Sequence, residues 1–470
     1  MLNNDISESM KQSVEKILDK VEKTTNVYNV TMTFTSSRAP DLRVELCREI
    51  VSVKIEQDFI QNYSDKITVE LDLTRDEYIT LYYMRKDLAC QFSFGNVYPD
   101  RTEDSLTPEE LKSLKEETLN FKAVVTKYED IFKKVSSERL YPEYSDNRDE
   151  TDQDRMRYKM TVELIDGDVY KARKMLINAV YVDVKIEDVI KTVINKFGFD
   201  QAMIIKPDND KVYTNFVIPP SQPLDSIMGF LQTSPGHGIY SNGLVSYITR
   251  WWKDMQKMSW FVYPRYAAPL AKNIVHVYST GQNMYTGLNC NHWTCPAAGT
   301  SILCSDELDI KNYSDLGSEN QADGTNVLIS DAILDGTRIL IADDNAKTKS
   351  RASDHVVVPT DPMDMKEMVR ADFKYDNGNL FAIDSDLRAY QSSHVNFKWR
   401  YAKPWTLTPG TEVQVHYDHP LGFKTIKGMA ERVVYTLRRD ENNPINLFFV
   451  CTAEVTVNYD NVQEPDKSHV

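Results

Sequence analysis

From Val27 to Phe94 apolar side chains recur at every second position, and the same period returns at the far end of the chain. VYNVTMTFT, VELCREIVSVKIEQDF and DKITVELDL all alternate, most clearly at Val44 and Leu46 and again at Val51, Val53 and Ile55. A period of two sorts side chains onto the two faces of a strand, so these stretches fit a half-buried sheet rather than a helix. Asn62-Tyr63-Ser64-Asp65 supplies a turn between two of them. Asp76 to Met84 reads as a short helix, LACQFSF as a strand, and Thr107-Pro108-Glu109-Glu110 as a capping box that opens another helix. Leu119 to Tyr128 and Met156 to Ile165 alternate again, and the acidic stretch Glu138 to Arg155 reads as an exposed loop. Six or so strands with a helical interruption predict a β-barrel or a strongly curled sheet. Near the other end, Thr406 to Tyr417, Gly428 to Arg438 and Asn446 to Asn458 predict three more strands, the last keeping its period through Leu447, Phe449, Cys451, Ala453, Val455 and Val457.

Between these β-rich ends the period changes. Ile186, Val189, Ile190, Val193, Ile194 and Phe197 form a complete apolar helix face, with Gly198 as its stop. The stretch Val212 to Tyr266 then predicts a strand halted by Pro219-Pro220, because proline donates nothing to a ladder. A helix capped by Ser221 follows, with Pro223 in its first turn and Leu224, Ile227, Met228 and Leu231 on one face. After the Pro235-Gly236-His237-Gly238 turn, Ser241-Asn242-Gly243 predicts a hairpin joining Ile239-Tyr240 to Leu244–Ile248. Trp260 to Tyr263 predicts a further strand. The aromatic group of Tyr240, Trp251, Trp252, Trp260 and Tyr263 could stack sugars or bases, although a core or a subunit contact is the commoner use.

The expected fold is therefore mainly β with α+β, two β-barrel modules flanking a smaller α+β domain. Residues 1–26 form an N-terminal amphipathic helix, with Ile6, Met10, Val14, Ile17, Leu18 and Val21 at helical spacing. Residues 27–175 are the first barrel module with its helical insertion, and 176–270 the α+β docking domain. Residues 271–400 are loop-rich with short strands such as Ile274 to Tyr278 and Ala332 to Ala342, and 401–470 hold the closing strands of the second barrel module and a C-terminal tail. A chain of 470 residues exceeds one compact core, which fits several domains.

Composition excludes some functions. A net charge of −15 argues against holding nucleic acid by neutralising its phosphates, while it suits a surface past which DNA slides without sticking. Six cysteines are too few for a disulfide scaffold, and Cys47, Cys90 and Cys451 sit in apolar runs where a buried free thiol is expected. The first residues lack a basic region followed by an apolar core, so no signal peptide is expected, and no apolar run is long enough for a membrane span.

Candidate chemistry is sparse. Cys290, His292, Cys295 and Cys304 could make a Cys3His zinc site, but the first spacing is loose and no second knuckle follows, which favours buried or incidental thiols. The same residues could be read as a Cys–His nucleophile pair of a zinc or cysteine hydrolase, though no Gly-rich oxyanion turn flanks them. The acidic pairs Asp306-Glu307, Asp343-Asp344 and Asp384 with Asp386 are what 70 acidic residues give by chance. No phosphate-binding, dinucleotide, nucleophile-elbow or HExxH motif occurs. No cofactor is expected, and the expectation is a protein that is not an enzyme.

The order of modules resembles a known family. Pro-x-x-Pro-Leu-Asp at Pro220 to Asp225, Leu231-Gln232 ending a helix and Gly238-Ile239-Tyr240 lie in the α+β unit. The closing module carries Leu-x-Pro-Gly-x-x-Val at Leu407 to Val413 and Lys427-Gly428-Met429-Ala430-Glu431-Arg432-Val433-Val434. These resemble the baseplate central hub proteins of contractile-tailed bacteriophages, similar to the hub part of type VI secretion spike proteins. The resemblance covers Val27 to Tyr459, with no counterpart for Ala267 to Arg400. It implies a homotrimer with two tail-tube-like barrels per subunit, adapting a six-fold tail tube to a three-fold central spike. It also implies tail tube, central spike and baseplate wedge proteins as partners, and DNA passing through the lumen without specific binding. The place would be the tail baseplate of a virion, after synthesis in the host cytoplasm. Another baseplate, spike or receptor-binding tail protein is the alternative of the same kind.

Overall fold

The alternating stretches are strands, and they join each other more widely than alternation alone implies. The computed structural model describes residues 27–84, 88–97, 119–128, 158–197, 201–234, 237–251, 254–265, 274–279, 300–304, 308–311, 341–342, 348–349, 393–419, 422–439 and 448–459. The N-terminal part supplies β1 (Val27–Ser36), β2 (Arg43–Leu46), β3 (Ile50–Asp58), β4 (Lys66–Leu73), β5 (Leu88–Val97), β6 (Leu119–Tyr128) and β7 (Tyr158–Asp166). Burial follows the period at Tyr28, Val30, Met32 and Phe34 of β1 and at Val53 and Ile55 of β3, but Val51 is exposed, because the pairing of β3 with β4 shifts register between Ile50 and Ser52. The run VELCREIVSVKIEQDF is two strands, because a turn at Cys47 to Glu49 separates β2 from β3. Helix α1 (Arg75–Met84) begins at a reciprocal capping box, where the Glu77 carboxylate accepts from Thr74 N at 2.8 Å and Thr74 Oγ1 accepts from Glu77 N at 3.4 Å.

The α+β unit holds α2 (Gly167–Lys174), β8 (Leu176–Lys185), α3 (Ile186–Phe197), β9 (Gln201–Ile204), β10 (Val212–Pro223), α4 (Ile227–Thr233), β11 (Leu244–Trp251) and β12 (Asp254–Pro264). Helix α2 is capped by the Asp166 side chain, which accepts from Asp168 N at 2.9 Å. The predicted face of α3 is buried at Ile186, Val189, Ile190, Val193 and Ile194. Three local expectations are corrected. The prolines do not end β10; its pairing with β8 breaks after Ile218 and resumes at Gln222 and Pro223, so Pro219-Pro220 sits in an irregularity where no ladder donor is needed. Helix α4 starts after Ser226 instead of Ser221, and Ser226 makes no side-chain cap bond, yet Leu224, Ile227, Met228 and Leu231 are all buried as expected. The Asn242-Gly243 turn is real, with Gly243 at φ 76°, but Ile239-Tyr240 is not a strand; β11 pairs with β12.

The third part adds β13 (Ile274–Ser279), β14 (Thr300–Cys304), β15 (Asp309–Lys311), the small pair β16 (Ile341–Ala342) and β17 (Thr348–Lys349), β18 (Ser393–Arg400), β19 (Glu412–His419), β20 (Gly422–Arg439) and β21 (Phe449–Tyr459). Thr406 to Thr411, expected as the start of a strand, is irregular, and only Glu412 onward pairs. Trp405 and Gly410, at φ 59° and φ 76°, turn the chain out of the extended region there.

The mainly β architecture with a smaller α+β unit is the expected one, and its two β-rich ends meet in a single 14-stranded sheet. The long hairpin of β20 and β21 makes that union. The first half of β20 pairs with β19 (Gly422 to Met429), and its second half with β3 (Arg432 to Arg438). β21 pairs with β20 along its length, with β18 from Thr452 to Tyr459 and with β1 at Phe449 and Val450. The order β20-β3-β4-β7-β6-β5-β1-β21, closed by β20 against β21, is a ring of eight strands. On its other side the same hairpin carries β19, β13 and β14 next to β20, and β18 and β15 next to β21. One continuous apolar core runs through both, while a second core lies inside the α+β unit. The two-stranded ribbon of β8 and β10 covers that second core on one face only, and the three-stranded sheet β11-β12-β9 covers it elsewhere. Among the described residues no helix is long and apolar enough to cross a membrane.

Candidate functional site

The residues singled out as candidate chemistry do not converge among the described residues. Cys290, His292 and Cys295 lie outside them, as do Asp306-Glu307, Asp343-Asp344, Asp384 and Asp386, Trp252, the capping box at Thr107, and the helix expected within residues 1–26. Cys304 is buried on β14, and its thiol donates to the Lys398 carbonyl at 3.1 Å. Cys90 and Cys451 are the buried thiols expected, and burial pushes both of them up in pKa. Cys47 is half-buried instead, because it lies in the turn after β2. Tyr240, Trp260 and Tyr263 are core residues: Trp260 donates to Ser246 Oγ at 3.0 Å, and Tyr240 donates to the Ile205 carbonyl.

What the fold does bring together is a pair of carboxylates at the seams between parts, one half-buried and one buried. The half-buried one is Asp65, in the turn before β4. Its Oδ1 accepts from Gln57 Nε2 and Tyr247 OH, both at 2.9 Å, and its Oδ2 accepts from Thr249 Oγ1 at 2.7 Å and Trp405 Nε1 at 2.8 Å. Those donors come from β3, from β11 of the α+β unit and from the irregular stretch before β19. Burial pushes the carboxyl up in pKa, against the pull of the four donors. Beside it, Ile248 N donates to the Tyr63 carbonyl at 2.8 Å, and the Arg250 guanidinium meets Asp166 at 2.7 Å. A pocket of 20 Å³ between Asp65, Asp166, Arg250 and Trp405 has room for about one water molecule.

The second carboxylate, Glu431, occupies the register break of β20 between its two halves. Its Oε1 accepts from Arg265 Nε at 2.7 Å and Asn458 Nδ2 at 2.6 Å, and its Oε2 meets His394 Nε2 at 3.1 Å. Its backbone carbonyl accepts from Phe59 N at 2.9 Å. Burial pushes this carboxyl up, but the His394 hydrogen bond and the Arg265 charge outweigh it and hold the pKa at about 2. Close by, Gly428 leaves no room for a side chain: a Cβ would lie 2.2 Å from the Asn458 carbonyl oxygen.

Two further features lie on the second half of the sheet. His276 Nδ1 and His416 Nε2 are 3.1 Å apart, and Thr425 Oγ1 is 2.9 Å from His416 Nδ1. Burial, the neighbouring His276 and Lys427 lower the His416 pKa to about 4, so both contacts belong to neutral rings. An open groove of 690 Å³ crosses β18, β21 and β20, and its Lys398, Arg400 and Arg432 alternate with Asp309 and Glu454. Such a groove carries no single sign of charge. Sequence reasoning missed both carboxylates because neither has a local motif; their partners are far along the chain, Trp405 lying 340 residues from Asp65.

Two carboxylates join separate parts of the chain, and one hairpin is shared between two curls of a mainly β fold. Residues 24–253, just under half of the chain, match the model of the family described as Bacteriophage PBS1 gene 109 protein. No curated protein matches the chain in sequence. Among solved structures, it is similar to a tail protein from Neisseria meningitidis MC58, at 10% identity and TM-score 0.42, covering 92% of this chain and 97% of that one. It is also similar to the 43 kDa tail protein of prophage MuSo2 from Shewanella oneidensis, at 8% identity and TM-score 0.40, covering 91% and 98%. A third is an E. coli component of the type VI secretion system, at 9% identity and TM-score 0.36, covering 88% and 74%.

Proposed function

We propose that this chain is a structural protein of a phage tail baseplate, and within it the trimeric hub that adapts a six-fold tail tube to a three-fold central spike. The observation that carries the reading is the hairpin of β20 and β21, which serves two curls of sheet in one subunit. Three copies then present six such curls, the arithmetic a three-to-six adaptor needs. The family match to a phage protein supports the setting. The net charge of −15 suits a wall along which DNA slides, because a phosphate backbone gains nothing by stopping there. On this reading the partners are the tail tube, central spike and wedge proteins, the chain is made in the host cytoplasm, and its place is the virion. Its task is to hold position rather than to catalyse. Electron microscopy of the purified chain tests this: rings of three-fold outline with a six-fold inner wall are expected. A chain that stays monomeric at high concentration and forms no ring refutes it.

A further inference from the structure

The strand β13 is tied into the second curl of sheet differently from its neighbours. It lies between β14 and β19 and runs parallel to both, and among the described residues these are the only parallel pairings in the 14-stranded sheet. Parallel ladders hold slightly less well per residue than antiparallel ones, so side-chain contacts across this seam count for more. Val275 and Val277 of β13, with Ile302 and Cys304 of β14, are buried in the shared core. On the opposite face a small polar cluster crosses the seam. His276 Nδ1 meets His416 Nε2 of β19 at 3.1 Å, and His416 Nδ1 meets Thr425 Oγ1 of β20 at 2.9 Å. The Tyr278 ring stacks on His416 with centroids 4.6 Å apart.

His416 is buried and His276 half-buried. In either tautomer of the pair one proton lies between the two rings, one nitrogen donating and the other accepting. Charging both rings would set two N–H groups and two positive charges against each other, so the contact tolerates one added proton and not two. Burial lowers the pKa of both rings, and with the neighbouring His276 and Lys427 of β20 it brings His416 to about 4. Glu412 of β19 pulls the other way on His276, and β14 places Ser301 opposite His276, which does not titrate. Freed from the seam, the rings return toward the ordinary 6.5 and take up protons. Because the folded values lie below the freed ones, the contact is at full strength above pH 6.5 and weakens as the pH falls toward 4. We propose that the His276–His416 contact is an acid-released latch, whose loss parts β13 and β14 from β19 and opens the second curl while the first ring stays folded. The latch does not depend on the trimeric hub reading.

The test treats the full chain with a pyridyl disulfide, which labels thiols in acid, at pH 7 and at pH 5, and reads the modified peptides by mass spectrometry. Cys304 reports the seam, and Cys90 of β5, also buried, reports the first ring. Each rate is divided by that of the urea-unfolded chain at the same pH. With His416 alone moving between 6.5 and about 4, opening is expected to rise roughly twentyfold from pH 7 to pH 5, so labelling of Cys304 should rise at least tenfold. The ratio of Cys304 to Cys90 labelling should rise at least fivefold, which unfolding of the whole chain does not produce. The double variant His276→Asn with His416→Gln keeps an amide at each facing nitrogen and cannot titrate, and its labelling is expected to change less than twofold. A smaller rise at Cys304, an equal rise at Cys90, or an undiminished rise in the double variant overturns the latch. Should that variant not fold, hydrogen exchange in the wild-type chain decides. The gap in protection between β3 and β13 is expected to widen at least fivefold from pH 7 to pH 5, and a constant gap overturns the latch.

Discussion

Glu431→Gln removes a charge while keeping nearly the same shape, at the point where β20 passes from one curl of sheet to the other. The amide oxygen can still accept from Arg265 and Asn458, so the substitution isolates the charge. Its worth follows from the pKa: a drop from the ordinary 4.5 to about 2 is about 3 kcal/mol, at about 1.4 kcal/mol per pH unit. Because the folded value lies below the unfolded one, this stabilisation is fully present above pH 4.5 and is lost as the pH falls through about 2. Urea unfolding followed by tryptophan fluorescence is the assay, since Trp399 and Trp405 are buried in the same core. At pH 7 the variant is expected to be less stable by about 3 kcal/mol, because the half-buried Arg265 no longer faces the Glu431 charge. Between pH 4.5 and 2 the two proteins are expected to converge. A variant within about 1 kcal/mol of wild type at pH 7, the worth of a single ordinary hydrogen bond, refutes the account of Glu431 as a charged staple.

Three other outcomes follow from the same geometry. Asp65→Ala removes the acceptor shared by four donors and should cost about 1–3 kcal/mol in urea unfolding at pH 7, the range for leaving a hydrogen-bonding group unsatisfied. Gly428→Ala places a methyl group against the Asn458 carbonyl and should cost about 3 kcal/mol or prevent folding, read as loss of the cooperative thermal transition. His416, with a folded pKa of about 4 below the ordinary 6.5, stabilises the neutral-ring fold above pH 6.5 and loses that contribution as pH falls toward 4. The loss should reach about 2–3 kcal/mol and should be absent from His416→Asn in the same pH series.

Much of this fold was legible because burial on one face leaves a period in the sequence. β1, β4 and β21 alternate cleanly, β3 does so from Val53 onward, and the α3 face from Ile186 to Ile194 is complete, so both kinds of element were readable. β8 was missed because its outward positions are aliphatic too, at Val180 and Val182, and a strand apolar on both faces has no period. The start of α4 was misplaced because Ser221 and Pro223 look like a helix opening, while pairing of Gln222 with Ile177 holds that stretch extended. Pairing across the chain left no trace: nothing at Arg432 says that it meets Asp58, or at Val27 that it lies beside Val450. The carboxylate nodes are hidden for the same reason, since Asp65 and Glu431 draw their donors from remote segments.

The hairpin of β20 and β21 also sets an order of events in time. The eight-strand ring draws six of its strands from residues before 167 and its last two from residues after 421. About 260 residues separate these groups, roughly 15–50 s of synthesis at 5–20 residues per second. Throughout that interval β3 and β1 have emerged with the edges that β20 and β21 will later cover, and an uncovered edge is a template for pairing with the wrong strand. The protein therefore completes its first ring only after β20 and β21 have been made, which makes those two strands the step that covers the waiting edges.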